Sequence, residues 1–205
     1  MKIVSAMAVA TMLGACSGQQ KSNDESANSK AVLECIMTRT SIRQYTDQPV
    51  EQEKVEAMLR AGMAAPTAVN AQPWHFVVVN SKEKLAELAA ANPRAKMLQT
   101  APLAIVVCGD MTKTLEGKAQ EFWIQDCSAA TENILLAAHA QGLGAVWTAV
   151  YPVEERIVPV REALNLPETM VPLCTVVIGY PAEHPQPKDK WKPENVSYNE
   201  VGVKE

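Results

Sequence analysis

Two short segments of the chain combine residue types that could bind a flat, charged ring compound. Residues 39–43 read Arg-Thr-Ser-Ile-Arg, and residues 70–76 read Asn-Ala-Gln-Pro-Trp-His-Phe. Two arginines with a hydroxyl between them offer forked donors and positive charge, which suits a phosphate. An Asn and a Gln beside a Pro-Trp bend offer amide edges to a planar polar ring. The two segments therefore predict a site for a ring compound that carries a phosphate.

Both segments lie in connections between predicted elements. The apolar pattern predicts a helix over residues 30–37 and a second over residues 51–63, which closes before Pro66. After a bend at residues 70–74, the β-branched and aromatic residues 75–79 predict a strand. The first segment should thus follow a helix directly, and the second should enter a strand.

The rest of the chain alternates helices and strands. Ser81 should cap a helix that carries Leu85 and Leu88, and further helices are predicted at 116–141 and at 154–164, the last broken by Pro159. Strands are predicted at 103–107, 145–150 and 173–178, and the continuous apolar run of the first places it at the sheet centre. The glycines at 142 and 144 follow a helix and precede a strand, the reverse of a dinucleotide fingerprint, so they indicate a helix cap and a tight turn.

The N-terminus has the features of an export signal. Lys2 precedes an apolar run over residues 3–13 that is too short to span a bilayer. Residues 13–16, Leu-Gly-Ala-Cys, resemble the bacterial lipobox, so residues 1–15 are predicted to be a lipoprotein signal peptide and Cys16 its lipidation site; an ordinary signal peptide with a chance cysteine is the alternative. The polar residues 16–29 predict a flexible tether. The mature protein would then be exported and lipid-anchored to the bacterial cell envelope.

Composition excludes several other classes of protein. The chain has 205 residues, of which 47% are hydrophobic, enough for one globular domain. A net charge of −4 argues against a nucleic-acid partner. The three histidines lack metal-ligand spacing, so no metal is predicted, and no Gly-x-Ser-x-Gly segment indicates a serine hydrolase.

Four further cysteines have apolar neighbours and form no Cys-x-x-Cys pair: Cys35, Cys108, Cys127 and Cys174. Isolated cysteines of this kind are typical of small buried hydrophobic residues. Because export permits oxidation, a structural disulfide is the alternative.

The two motifs at their spacing resemble the nitroreductase family, FMN-dependent homodimeric oxidoreductases, from about Ala31 to Tyr198. The resemblance implies an α+β fold in which a mainly antiparallel central sheet is flanked by helices, within an intertwined homodimer that holds an FMN at each of two interface sites. Residues 30–205 would form this FMN domain, and the tail from about residue 181 would wrap the partner subunit.

The resemblance also assigns cofactor-binding residues. Arg39, Thr40, Ser41 and Arg43 match the first flavin motif, which holds the phosphate, the ribityl hydroxyls and the pyrimidine edge. The second motif would reach the flavin of the other subunit through five residues: Pro66, Thr67, Ala68, Asn70 and Gln72. Family members often have Ser where this chain has Ala68.

Three more groups follow from the same resemblance. Thr148, Ala149 and Val150 align with the strand beneath the flavin, where the backbone of the last two would lie near the reactive ring nitrogen; several relatives carry Glu-Gly there. The tail residues Lys188 and Lys190 match a basic pair that closes on the phosphate.

The implied activity is ping-pong hydride transfer from NAD(P)H through FMN to a small electron acceptor, such as a nitroaromatic or a quinone. Trp123 aligns with a helix that covers the substrate face and is predicted to line it, whereas Phe122 is predicted to be a core residue. An exported protein meets little NAD(P)H, so a flavin enzyme with a membrane redox donor stays open. A noncatalytic lipid-anchored flavin-binding protein is the other alternative.

Overall fold

The structure is a computed structural model that describes residues 16–202, with side chains for residues 27–202. The signal peptide predicted over residues 1–15 lies outside the described residues. Contacts divide the chain into two units, one that ends at Met37 and one that begins at Thr38. None of the described helices is long and apolar enough to cross a membrane.

The described residues of the first unit, 16–37, lie in helix α1, which spans Cys16–Thr38. The sequence predicts a helix only from residue 30 and a flexible tether before it, so the helical conformation of residues 16–29 corrects that expectation. Six of its 14 residues are Ser or Asn, which favour a helix only weakly, but the segment contains no proline, so no residue in it blocks the helical hydrogen bonds. The apolar residues expected on one face are present and 50 to 70% exposed: Val32, Leu33, Ile36 and Met37.

Four antiparallel strands form the sheet of the second unit. They are β1, Trp74–Val79; β2, Leu103–Asp110; β3, Gly144–Ala149; and β4, Met170–Gly179. Their order is β1-β2-β4-β3. All eight residues of β2 are buried, which confirms its predicted central position.

Helices cover both faces of this sheet. They are α2, Gln52–Met63; α3, Lys82–Ala91; α4, Phe122–Ala140; and α5, Glu154–Leu164. Alternate residues of β2 point into two cores, Ile105 and Val107 toward α2 and α4, and Ala104 and Val106 toward α3 and α5. The α+β fold with a mainly antiparallel sheet flanked by helices is thus confirmed.

Local features at both ends of α4 determine where the helix begins and ends. Gly142 adopts a φ of 75°, and Leu143 N–H donates to the Ala138 carbonyl at 2.9 Å. This left-handed cap confirms the interpretation of the glycines as a cap and turn. At the other end the helix begins at Phe122 rather than at residue 116, because a 3-10 turn, Gly117–Glu121, precedes it.

Pro159 does not break α5, which is continuous. The proline removes one backbone donor, but Ile157 and Val160 beside it are buried against the sheet. Packing therefore holds the helix together at this position, and the predicted break is wrong.

Three cysteines are buried as thiols: Cys108, Cys127 and Cys174. None of the three forms a disulfide, as the interpretation of small buried hydrophobic residues predicts. Burial raises the pKa of Cys108 to about 12 and that of Cys174 to about 12, and it also raises the pKa of Cys127. Water is excluded from these sulfurs, so the charged thiolate is disfavoured.

These pKa values predict a loss of stability at alkaline pH. An unfolded thiol ionises near pH 8.5, whereas Cys174 in the folded protein stays protonated until about 12. The unfolded state therefore loses its proton first, and the free energy of unfolding falls as the pH rises through this window. Between pH 7 and pH 9.5, urea denaturation should show that the free energy of unfolding falls less for Cys174→Ala than for wild type, by on the order of 1 kcal/mol. Equal losses in the two proteins would contradict the prediction.

Candidate functional site

The first motif lies along the outer edge of β3. Ser41 forms a parallel bridge with Ala145, and Ile42 N–H donates to the Ala145 carbonyl at 3.1 Å. The approach is close: a Cβ on Gly144 would lie 2.7 Å from the Cβ of Ile42. Glycine at position 144 is therefore what allows the motif to reach the strand.

Tyr45 fastens the far end of this segment. Its hydroxyl donates to the Val177 carbonyl at 3.0 Å or to that of Ile42 at 2.5 Å. Burial raises the pKa of the Tyr45 phenol, so it stays a neutral donor. The backbone of residues 41–45 is thus held firmly at the sheet.

Both arginines of the first motif contact a carboxylate, Arg39 through its side chain and Arg43 through its backbone N–H. Arg39 is 19% exposed, and its Nε lies 3.4 Å from Oε1 of Glu132 on α4. Arg43 is exposed, and its backbone N–H donates to the Glu183 carboxylate at 2.5 Å. If Arg39 binds a phosphate, its guanidinium group would either contact the phosphate and Glu132 together or exchange the Glu132 carboxylate for the phosphate.

The second motif forms a loop with unusual backbone conformations. Val69, Asn70 and Gln72 have φ values of 47°, 59° and 52°. Gln72 Nε2 donates to Asn70 Oδ1 at 3.0 Å, and both amide side chains are exposed. The predicted pair of amides is therefore present as one polar edge.

Buried groups hold both sides of this loop. Ala68 N–H donates to Oδ1 of Asp126 on α4 at 2.9 Å, and Asp110 N–H donates to the Pro73 carbonyl at 2.6 Å. A hydrogen bond from the Thr112 hydroxyl, with further help from Lys113, keeps the pKa of the Asp110 carboxyl below its usual value. The two contacts tie both ends of the loop to buried residues.

The two motifs attach to α4 in different directions. Asp126 and Glu132 are six residues apart, which is about 9 Å along the helix axis and on different sides of it. In the described part of the chain no ion pair or hydrogen bond joins residues 39–43 to residues 66–72. One subunit thus presents the motifs separately.

Residues 148–150, predicted to lie beneath the ring, are only partly free to bond a ligand. Thr148 is buried and its hydroxyl donates to the Thr175 carbonyl at 2.8 Å. Val150 N–H donates to the Leu173 carbonyl at 3.0 Å. Because this donor is used within the sheet, the role predicted for the Val150 backbone is corrected, and Ala149 is the exposed residue of the three.

The Ala149 carbonyl is fixed by two donors. Asn92 Nδ2 lies 3.2 Å from it and Arg156 Nη1 lies 3.1 Å from it. Asn92 is 2% exposed, so this amide is committed to its contact. The peptide that follows Ala149 therefore has a defined orientation.

Trp123 does not line an open surface. It is 5% exposed, and its ring packs edge-on against Tyr151 with centroids 5.0 Å apart. Helical spacing puts Trp123 on the face of α4 that also carries Cys127 and Ile134, toward the sheet. The predicted substrate-lining role is therefore wrong, and Phe122, predicted to be core, is 42% exposed.

The tail leaves the sheet after Pro181 and stays exposed. Within the described residues, Lys188 and Lys190 form no ion pair. Two aromatic side chains of the same segment are also exposed, Trp191 by 72% and Tyr198 by 70%. Lys188 and Lys190 are thus exposed groups, and their contact with a phosphate stays a prediction.

Sequence reasoning missed the groups that orient the motifs, namely Asp126, Glu132 and Asn92. A signal exists for Asp126, because Cys127 follows it directly and helical spacing puts two more apolar residues beside it, Trp123 and Ala130. No comparable signal marks Glu132 or Asn92, whose roles depend on long-range contacts. Among the described residues no cluster of potential metal ligands occurs.

Comparisons with known proteins give the family. The model of the Nitroreductase family matches residues 36–92 and 89–180. A putative NADH dehydrogenase/NAD(P)H nitroreductase of Methanothermobacter thermautotrophicus is 47% identical over 165 residues, 80% of this chain and 85% of that one. A crystal structure with the same description from Bacteroides thetaiotaomicron is 50% identical, with a TM-score of 0.78, and the match covers 82% of this chain and 97% of that chain.

More distant relatives carry narrower names. The FMN reductase [NAD(P)H] of Bacillus subtilis is 28% identical over 186 residues, which is 83% of this chain and 74% of that protein. Together, the fold, the two motifs and these matches define an α+β oxidoreductase. The chain belongs to the nitroreductase family.

Proposed function

We propose that the chain is an FMN-dependent oxidoreductase that works as a homodimer, with NAD(P)H as donor and a nitroaromatic, quinone or related small molecule as acceptor. The observation that carries the proposal is the loop of residues 66–72, which presents the Asn70 and Gln72 amides outward. Such a paired amide edge suits the hydrogen-bonding rim of a flavin ring.

The donor set also suits the phosphate of FMN. A phosphate carries nearly two negative charges, and the protein has a net charge of −4, so binding needs local positive groups. Arg39, Ser41 and Arg43 would hold it, and Lys188 and Lys190 from the tail would add charge.

FMN, when bound, supplies the hydride acceptor for reduced nicotinamide and the electron source for the second substrate in a ping-pong reaction. The protein's residues orient it. Ser41 and Ile42, which dock on β3, would hold the phosphate, and the Ala149 segment, whose carbonyl Asn92 fixes, would lie beneath the ring. Relatives are named for such chemistry, among them an NADPH-flavin oxidoreductase of Vibrio harveyi and an oxygen-insensitive NADPH nitroreductase of Salmonella typhimurium.

A homodimer explains several exposed features together. Residues 39–43 and 66–72 diverge on α4, so a complete site needs one motif from each subunit. The tail exposes Trp191 and Tyr198, which a partner would cover. The tail would thereby bring Lys188 and Lys190 to a site that the described subunit does not form alone.

One experiment tests this function. Protein purified with added FMN should be yellow, elute as a dimer, and lose its colour anaerobically with NADH or NADPH. Yellow protein that resists both nucleotides but bleaches with a quinol would favour a membrane redox donor. Yellow protein that bleaches with none of these would favour a noncatalytic flavin-binding protein, and colourless protein would contradict the proposal.

Removal of Arg39 should weaken FMN binding. Arg39→Ala is expected to raise the FMN dissociation constant about tenfold or more, because a charge-assisted hydrogen bond is lost. Arg60→Ala is the matched control, since Arg60 is exposed and pairs with Glu56 on α2. Fluorescence titration should give the control a wild-type constant. Equal FMN dissociation constants for the two variants would show that Arg39 does not bind FMN.

We further propose that Cys16 carries lipid and holds the exported protein at the cell envelope. Cys16→Ser should then abolish labelling by a radioactive fatty acid and release the protein from membranes. Cys35→Ser is the control and should keep both the label and the membrane association. If the Cys16→Ser variant keeps both the label and the membrane association, the proposed lipid anchor is contradicted.

A further inference from the structure

Asp126 is a buried acidic side chain to which the proposed function assigns no contact with FMN. It lies on α4, is 7% exposed, and accepts the Ala68 N–H at 2.9 Å. No ion pair involves it in the part of the chain that the structure describes. A buried carboxyl group is costly unless hydrogen bonds compensate it, so its bond to the loop is significant.

The loop above Asp126 needs an external support. Val69 has φ 47° and ψ 24°, in the left-handed region that a β-branched residue rarely adopts. Its side chain is 80% exposed, so packing of this side chain does not hold the conformation. Backbone conformations of this kind persist where surrounding contacts impose them.

Few contacts are available to impose it. Asn70 N–H donates to the Thr67 carbonyl, and Gln72 N–H donates to the Thr67 hydroxyl, so both bonds stay within the loop. Among the described residues, the bond to Asp126 is the hydrogen bond that connects residues 68–72 with another element.

We infer that Asp126 is a positioning residue that holds the 66–72 loop in its left-handed conformation and so presents the Asn70 and Gln72 amides to the ring of the cofactor. The cofactor part rests on the proposed function, whereas the anchoring of the loop does not. Asp126 acts through Ala68 and touches no substrate.

Three substitutions separate the roles of the two bonded groups. Asp126→Leu removes the acceptor but keeps the branched heavy-atom skeleton of the side chain, and Asp126→Asn keeps an acceptor oxygen. Ala68→Pro removes the donor without altering α4, and proline is tolerated at the first residue of a helical turn. Thr131→Val is the control, because Thr131 is buried on the same helix and its hydroxyl donates to the Cys127 carbonyl.

Two measurements are made on each full-length protein: amide hydrogen exchange without flavin, and FMN affinity by fluorescence titration. Asp126→Leu and Ala68→Pro should each speed exchange at residues 69–72 and weaken FMN binding about tenfold. Asp126→Asn and Thr131→Val should stay within about threefold of wild type. The double variant Asp126→Leu/Ala68→Pro should bind FMN no more weakly than the weaker-binding of the two single variants, because both substitutions remove the same hydrogen bond.

Unchanged exchange and affinity in Asp126→Leu would overturn the inference, and so would additive effects in the double variant. If Asp126→Leu fails to fold, Ala68→Pro decides the question, since it leaves the helix intact. Wild-type protein that rejects FMN would overturn the proposed function, and the exchange data would still decide whether Asp126 anchors the loop.

Discussion

The packing of α4 against the sheet is the constraint on which the candidate site depends. Its inner face, with Cys127, Ala130 and Ile134, is fully buried. The helix therefore cannot rotate without the loss of core contacts. Three polar side chains of α4 contact the motif segments from this fixed position. Asp126 bonds the 66–72 loop, Glu132 pairs with Arg39, and His139 bonds Thr38. Apolar packing thus sets the coordinates of the polar groups that would meet a ligand.

The sheet plays the complementary role at the other motif. β3 has β4 on one side, and its other side receives residues 41 and 42 as a short parallel extension. This docking depends on the absence of a side chain at Gly144. The same turn that ends α4 therefore creates the space in which the first motif lies, so the helix cap and the site are one structural unit.

Much of this architecture follows from local sequence. The buried run of β2, the Ser81 cap of α3 and the glycine cap of α4 were predictable, because each depends on neighbouring residues. The site motifs could be located by their residue types, and the comparisons confirm the family they indicate. The orientation of residues 122 and 123 was not predictable from composition, because a shift of one position on a helix exchanges a core residue with an exposed one.

Long-range contacts account for the remaining differences. Val150 has a donor in the sequence, but only the fold reveals that the Leu173 carbonyl already accepts it. Likewise, the polar residues 16–29 have no apolar pattern that would predict a helix, although they contain no proline that would prevent one. The support of the 66–72 loop by Asp126 joins residues 58 positions apart, which no local pattern could indicate.

The three interior thiols have a consequence for how the chain must mature. A thiolate is the species that reacts with oxidants, and the folded core suppresses it at Cys108, Cys127 and Cys174. Burial therefore protects these sulfurs in the folded protein. Their vulnerable period is the interval before the sheet and α4 close, so in an oxidising compartment the speed of folding would decide whether the native protein or a mispaired disulfide species accumulates.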